Sequence, residues 1–285
     1  MNALWQTIRE EAACQAVAEP ALDLYLHDAV LQWHDWCSAL SHALARRLAC
    51  PPCSYEFCRS LVARAVLEDG AIGVAAAVDL RAVVARDPAC RGFHVPFLFY
   101  KGFHALQAHR VAHWYWNAGQ RTTAQLIQHR CNEALAIDIH PAARIGSGVM
   151  LDHGTGFVAG ETAVIGNNVS LLHGVTLGGT GKQSGDRHPK VRDGASIGAG
   201  AKILGNIEIG AGARIGAGSV VVAAVPCEQT AVGFPARLVV RHPAAASRVL
   251  ASGAPRSSAC ESGAPYPHIE LESLPTVSYD STMPA

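Results

Sequence analysis

The fold is decided by "ASIGAGAKILGNIEIGAGARIGAGSVV", residues 195–221. An aliphatic side chain returns at every sixth residue: Ile197, Ile203, Ile209, Ile215 and Val221. A period of six is neither the 3.6 of an α-helix nor the 2 of an alternating strand. It marks a hexapeptide repeat, the signature of a parallel β-helix in which three hexads close one coil. The apolar residue points into a narrow core, and the glycine that often follows it (Gly198, Gly210, Gly216) lets the backbone turn. Successive coils should stack at about 4.8 Å, the spacing of paired strands.

The beat extends upstream. Ile139, Ile145, Leu151 and Phe157 keep it, and after a two-residue slip Ile165, Leu171 and Leu177 follow. Small or β-branched residues such as Ala143, Val149, Ala163, Val175, Ala201 and Ser219 stand two places before the beat. Only the stretch 178–193, "GGTGKQSGDRHPKVRD", interrupts it at length. It is polar, glycine-rich and charged, and a long loop thrown out of a solenoid is often functional. Arg187, His188 and Lys190 lie in it.

Residues 1 to about 136 follow a helical rhythm instead. In 21–49 the apolar residues fall at spacings of three and four, which predicts a helix stopped by Pro51 and Pro52. In 103–119 the same pattern ends on Gly119, and "RDP" at 86–88 marks a helix end. Trp114, Tyr115 and Trp116 are read as packing residues. After about residue 241 no period survives, and the Ala-, Ser-, Pro- and Gly-rich stretch 242–285 is expected to be a disordered tail.

Composition narrows the function. Lys plus Arg number 23 and Asp plus Glu 23, so no basic face is available to neutralise nucleic-acid phosphates. The N-terminus lacks a signal-peptide pattern and no apolar run is long enough to cross a bilayer, so a cytoplasmic protein with no membrane contact is expected. The "CPPC" at Cys50–Cys53, with Cys58 nearby, reads as a helix-ending turn, because no second pair completes a zinc site.

The segments "IDIHPAARIG" (137–146), "LDHGTG" (151–156), "GETAVIG" (160–166) and "VTLGGTGKQSGDRHPKVRDGASIGAGAKILGN" (175–206), behind a helical N-terminal half, resemble serine acetyltransferases over roughly residues 1–241. The resemblance implies an α+β chain: a helical N-terminal domain over 1–136, then a left-handed parallel β-helix over 137–241 with a loop at 178–193. It implies acetyl transfer from acetyl-CoA, as co-substrate, to the hydroxyl of L-serine, the first step of cysteine synthesis from serine, with no metal. The alternative is a related acyltransferase acting on homoserine, a sugar or an antibiotic.

That chemistry needs a base to take the hydroxyl proton as the bond to the acetyl carbon forms. A histidine titrating near about 6.5 suits neutral pH. Such help is worth about 10²–10⁴ in rate, roughly 3–5 kcal/mol. A carboxylate on the far ring nitrogen would hold the tautomer. Spacing leaves Asp138 and Asp152 both open for that role. The resemblance assigns His153 as the base and Asp138 as its partner. It gives the serine contacts as Asp87, Asp152, Arg187 and His188, in a pocket between neighbouring subunits of a trimer, and sets CoA near Gly179 and Ala199. Read without the family, Leu151 and Leu171 are equivalent corners, so His153 and His173 should stack one strand spacing apart. The resemblance further implies L-cysteine as feedback inhibitor and a homotrimer or a dimer of trimers, hence a homohexamer. O-acetylserine sulfhydrylase is a doubtful partner, because the chain ends on Ala285, where the family commonly ends in isoleucine; Ile269 and Leu271 are internal.

Overall fold

The computed structural model describes residues 1–239 except Gln183. The tail over 242–285, including Ile269, Leu271 and Ala285, lies outside the described residues.

The first half is helical: α1 (Asn2–Ala18), α2 (Asp23–Leu26), α3 (Trp36–Leu48), α4 (Tyr55–Glu68), α5 (Gly70–Arg86), α6 (His94–Phe99), α7 (Lys101–Asn117) and α8 (Arg121–Leu135). The stretch 21–49 is therefore not one helix. A π-helical turn at His27–Leu31 follows α2, and Asp35 then starts α3 afresh. The Asp35 carboxylate accepts the Ser38 N–H at 2.9 Å, a helix-start donor that a continuous helix would have bonded internally, and also the Ser38 hydroxyl at 2.7 Å. The predicted stops hold: α3 ends before Pro51, α5 before Asp87-Pro88, and α7 before Gly119, whose φ is 77°. Phe97, Phe103, Leu106 and Tyr115 fill the core between these helices. Cys50 donates its N–H to Cys53 O at 2.8 Å, so the "CPPC" is a turn, with Cys53 and Cys58 buried.

From Asp138 the chain visits three parallel sheets in rotation. One sheet aligns Ile139, Ala159, Leu177, Ile203 and Val221. A second aligns Ile145, Ile165, Val191 and Ile209, and a third Leu151, Leu171, Ile197 and Ile215. Most hexads bury two side chains, the beat residue and the one two places before it, such as Val149 with Leu151 and Val175 with Leu177. Over 195–221 this second layer is made of small residues, Ala195, Ala201, Ala213 and Ser219, because three facing strands leave little room at the axis.

The register corrects the sequence reading twice. The partner of Ile139 is Ala159, not Phe157, so the two-residue slip falls before Phe157, within Asp152–Gly156. Phe157 is fully buried in the second layer and so keeps an apolar identity off the beat. The beat also resumes at Val191, because Lys190–Val191 is already a strand, which shortens the loop read at 178–193.

Helices and coils form one compact unit, Met1–Val239. Asp79 of α5, fully buried, accepts from Gln107 Nε2 at 3.0 Å, Arg110 Nη2 at 2.6 Å and the Val149 N–H at 2.9 Å. Arg110 reaches on to Ile145 O and Gly146 O. Removing one partner of such a buried pair costs about 3–5 kcal/mol, since it strands the other charge. Gly102 in the first turn of α7 lies against the strand Met150–Leu151: a Cβ there would sit 1.9 Å from Leu151 O. Among the described residues no helix is long and apolar enough to cross a membrane.

Candidate active site

The slip builds the site. Three other turns on the same corner of the coil, at residues 172–174, 198–200 and 216–218, hold three residues between buried layers and end on a glycine with φ of 67–71°. The turn after Leu151 holds five, Asp152 to Gly156. The two extra residues, His153 (φ 56°) and Gly154 (φ 75°), are both left-handed, and they throw the imidazole outward. His153 has 73% of its side chain exposed. Its Nε2 lies 3.8 Å from Asp152 Oδ1, and its ring meets that of His173 edge to face at 5.9 Å.

The imidazole borders a cavity of about 310 Å³ that Asp87, Tyr100, Lys101, Asp152 and Thr155 also line. Asp87 closes α5 and is fixed twice, by the Ala89 N–H at 2.8 Å and the Tyr100 hydroxyl at 3.1 Å. Burial, and then this bond to Asp87, push the Tyr100 phenol up. The acidic pair thus faces the base across one cavity, with Lys101 at its edge.

Arg187 and His188 stand elsewhere, on the next corner of the coil. Thr162 Oγ1 accepts both their N–H groups, at 3.0 and 3.1 Å, while the Thr162 N–H donates to His188 Nδ1 at 3.2 Å. His188 covers Gly160, where a Cβ would stand 2.0 Å from Nε2. Burial, then Arg187 and Lys190, lower its pKa, which keeps the ring neutral at pH 7 with its proton on Nε2. Arg187 Nη2 is 2.8 Å from Glu161 Oε2, and that bond holds the Glu161 carboxyl below its ordinary range.

Asp138 forms a third group. Gln128 Nε2 of α8 donates to its Oδ1 at 2.7 Å. Among the described residues no hydrogen bond or ion pair joins Asp138 to His153. Their backbones are nonetheless laddered: Asp138 N–H donates to Phe157 O at 2.9 Å, and Gly156 N–H to Ala136 O at 2.7 Å. Ala199 stacks on the His153 corner two coils on, through Gly200 N–H to His173 O and Gly174 N–H to Thr155 O. Gly179 lies beside Arg187, on the loop side of the coil.

One chain thus brings Asp87, Asp152 and His153 to one cavity, and sets Arg187 with His188 apart. Sequence reasoning missed Tyr100, Lys101, Gln128, Glu161 and Thr162. Glu161 and Thr162 were within reach, because "GET" is a polar turn inside a strict beat. The other three belong to the helical half, Tyr100 at the junction of α6 and α7 and Lys101 and Gln128 on helices, where nothing in the spacing points to the coil. Among the described residues no group of three His, Cys, Asp or Glu is placed to hold a metal ion.

The coil and its turns define the class: residues 188–223 match the family "Bacterial transferase hexapeptide (six repeats)". Residues 4–108 match "Serine acetyltransferase, N-terminal". A serine acetyltransferase of Salmonella typhimurium is 52% identical over 239 residues, 84% of this chain and 88% of that protein. The chain belongs to the serine acetyltransferase family. Three solved structures resemble it over most of their length. A Neisseria gonorrhoeae serine acetyltransferase in complex with serine has TM-score 0.80 and 52% identity, covering 82% of this chain and 96% of that one. A serine acetyltransferase in complex with cysteine has TM-score 0.82 and 50% identity, covering 84% and 100%. A Brucella abortus serine acetyltransferase with coenzyme A has TM-score 0.82 and 47% identity, covering 84% and 96%.

Proposed function

We propose that this chain transfers the acetyl group of acetyl-CoA to the hydroxyl of L-serine, giving O-acetyl-L-serine and CoA, the first step from serine to cysteine. The observation that carries the reading is His153, placed by a two-residue insertion at the mouth of a cavity with two carboxylates, in a member of this family.

His153 takes the proton of the serine hydroxyl as its oxygen bonds to the thioester carbon. The tetrahedral intermediate then expels the CoA sulfur, and the imidazolium returns the proton to it. Asp138 orients the ring, by turning its free oxygen toward the adjoining turn. Asp87 and Asp152 receive the serine ammonium, and Arg187 and His188 its carboxylate. Because these pairs occupy different corners of one chain, a second copy completes the site, which supports a trimer and, by pairing of trimers, a hexamer. CoA lies along the coil by Gly179 and Ala199. L-cysteine, which carries the same ammonium and carboxylate, competes for the serine pocket. Three sheets visited in rotation support a left-handed β-helix over 137–241, following a helical domain over 1–136.

Thiol release from acetyl-CoA tests the reading. Turnover with L-serine well above that with L-homoserine or a sugar acceptor is expected. A preference for another acceptor would move the chain to the alternative acyltransferase.

A further inference from the structure

We infer that Gln128 of α8 is a positioning residue for the reaction, holding the Asp138 carboxylate so that one oxygen stays free for the histidine. The inference rests on the reading of Asp138 as the orienting carboxylate.

Gln128, half-buried, borders the apolar face of α8 formed by Ala124, Ile127, Cys131 and Leu135. From that border its amide is directed at the coil rather than at solvent. Its Nε2 finds Asp138 Oδ1 at 2.7 Å, ten residues along the chain and on a different element. Oδ2 accepts no hydrogen bond among the described residues. One oxygen is thus anchored and the other open, as a carboxylate must be to fix a neighbouring imidazole. The Asp138 backbone is itself tied to Phe157, at the end of the histidine turn. With the main chain laddered and Oδ1 held, the remaining freedom of the carboxylate is small.

The residue type matters. A glutamine donates without charge, whereas Lys or Arg would form an ion pair competing with the imidazolium, and Glu would repel Asp138. The contact also links the helical half to the reaction: α8 runs on into Ala136, whose carbonyl accepts from Gly156 of the same turn.

The test uses the full chain with Gln128→Met, Asp138→Ala and the double variant. The readouts are kcat and both KM values from thiol release with acetyl-CoA and L-serine, and the melting temperature. Gln128→Met should lower kcat about tenfold, the scale of a small misplacement of a catalytic group, with both KM values within about twofold. In the Asp138→Ala background it should change kcat by less than about twofold, because the group it positions is gone. Gln128→Asn, which keeps the amide but withdraws it by one methylene, gives the same test if the apolar side chain disturbs α8. A parental kcat in both Gln128 variants, or losses that add in the double variant, would overturn the inference while leaving Asp138 in its role. A silent Asp138→Ala would instead remove Asp138 as the orienting residue, and the inference with it.

Discussion

Two turns on one corner of the coil make the sharpest contrast in the molecule. The turn at Leu172–Gly174 spends three residues, ends on a left-handed glycine and hands the chain to Val175. The turn one coil earlier, at Asp152–Gly156, does the same job with five, then hands the chain to Phe157. The strands on either side stay in register, Leu151 with Leu171 and Ala159 with Leu177. The insertion is absorbed entirely by the turn, because the strands on both sides keep their partners and so the layer of large beat residues stays stacked on itself. A repetitive scaffold therefore localises a functional irregularity. Whatever breaks the beat must project from the surface, and here it projects a histidine.

If the five-residue turn is where the chemistry sits, substitutions there and on its three-residue neighbour should part company. His153→Ala should reduce kcat by about 10²–10⁴, the worth of a general base, with the fold intact by circular dichroism. His173→Ala, one coil away with its ring 5.9 Å off, should cost less than about tenfold. Comparable losses in the two variants would break the contrast and make the pair, rather than the turn, the reactive unit.

The first turn of α7 braces the longer turn, with Gly102 against Leu151 and near Gly154, and the helix that carries it should be acid-sensitive. His104, two residues on, is 1% exposed, and its Nε2 donates to Phe97 O at 2.8 Å. Burial first, then the Arg47 charge, lower its pKa to about 4, against the bond to Phe97 O, which raises it. The unfolded chain takes up this proton near 6.5, so stability is full above that pH and is lost as pH falls from 6.5 toward about 4. The loss amounts to roughly 3 kcal/mol at most. His109 on the same helix, driven down by burial, adds in the same direction. Urea midpoints followed from pH 7 to 4 should fall, and His104→Leu should flatten part of that slope. An unchanged slope would mean that the helix is not held by a neutral His104.

On the other corner, Arg187→Ala should raise the serine KM and the cysteine inhibition constant together. The expected factor is about 10–100, the range for losing a hydrogen bond to a charged group. Inhibition retained while serine binding is lost would show separate pockets.

The rhythm of the coil was legible from sequence because one apolar residue per hexad is all that a narrow core accepts. The location of the slip was not. Phe157 is apolar and buried like a beat residue, so hydrophobicity alone could not tell the second layer from the first. Only strand pairing, Ile139 with Ala159, separates them. Helix α3 was misread for a related reason: spacings of three and four continue across Gln32–Asp35, while the capping by Asp35 is a matter of one side chain. Of the candidate site, the residues on turns were legible because polar groups stand out against a strict period. Tyr100, Lys101 and Gln128 were not, because their relation to the coil exists only after the helices pack on it.

The smallest effect bears on why the irregular turn persists. His153 holds φ at 56°, a conformation that costs an L-residue with a Cβ about 1 kcal/mol and a glycine little. The next residue is already a glycine for a further reason: a Cβ on Gly154 would stand 2.6 Å from Ile137 Cδ1. Replacing His153 by glycine keeps the backbone path and removes the strain. Part of the gain is offset by the greater freedom of glycine in the unfolded chain. The exposed imidazole, with 73% of its side chain in solvent, loses little packing in the exchange. His153→Gly should therefore be more stable than the parent by about 0.5 kcal/mol, read as a higher urea midpoint with an unchanged slope, while acetyl transfer is lost. His173 lies outside the left-handed set, so His173→Gly should destabilise, since it only adds backbone freedom. Opposite signs at these two stacked histidines would show that the histidine is kept in the five-residue turn against the preference of the backbone, as strain held at a functional site requires. A destabilised His153→Gly would mean instead that the turn is shaped by the contacts of the ring with Asp152 and His173.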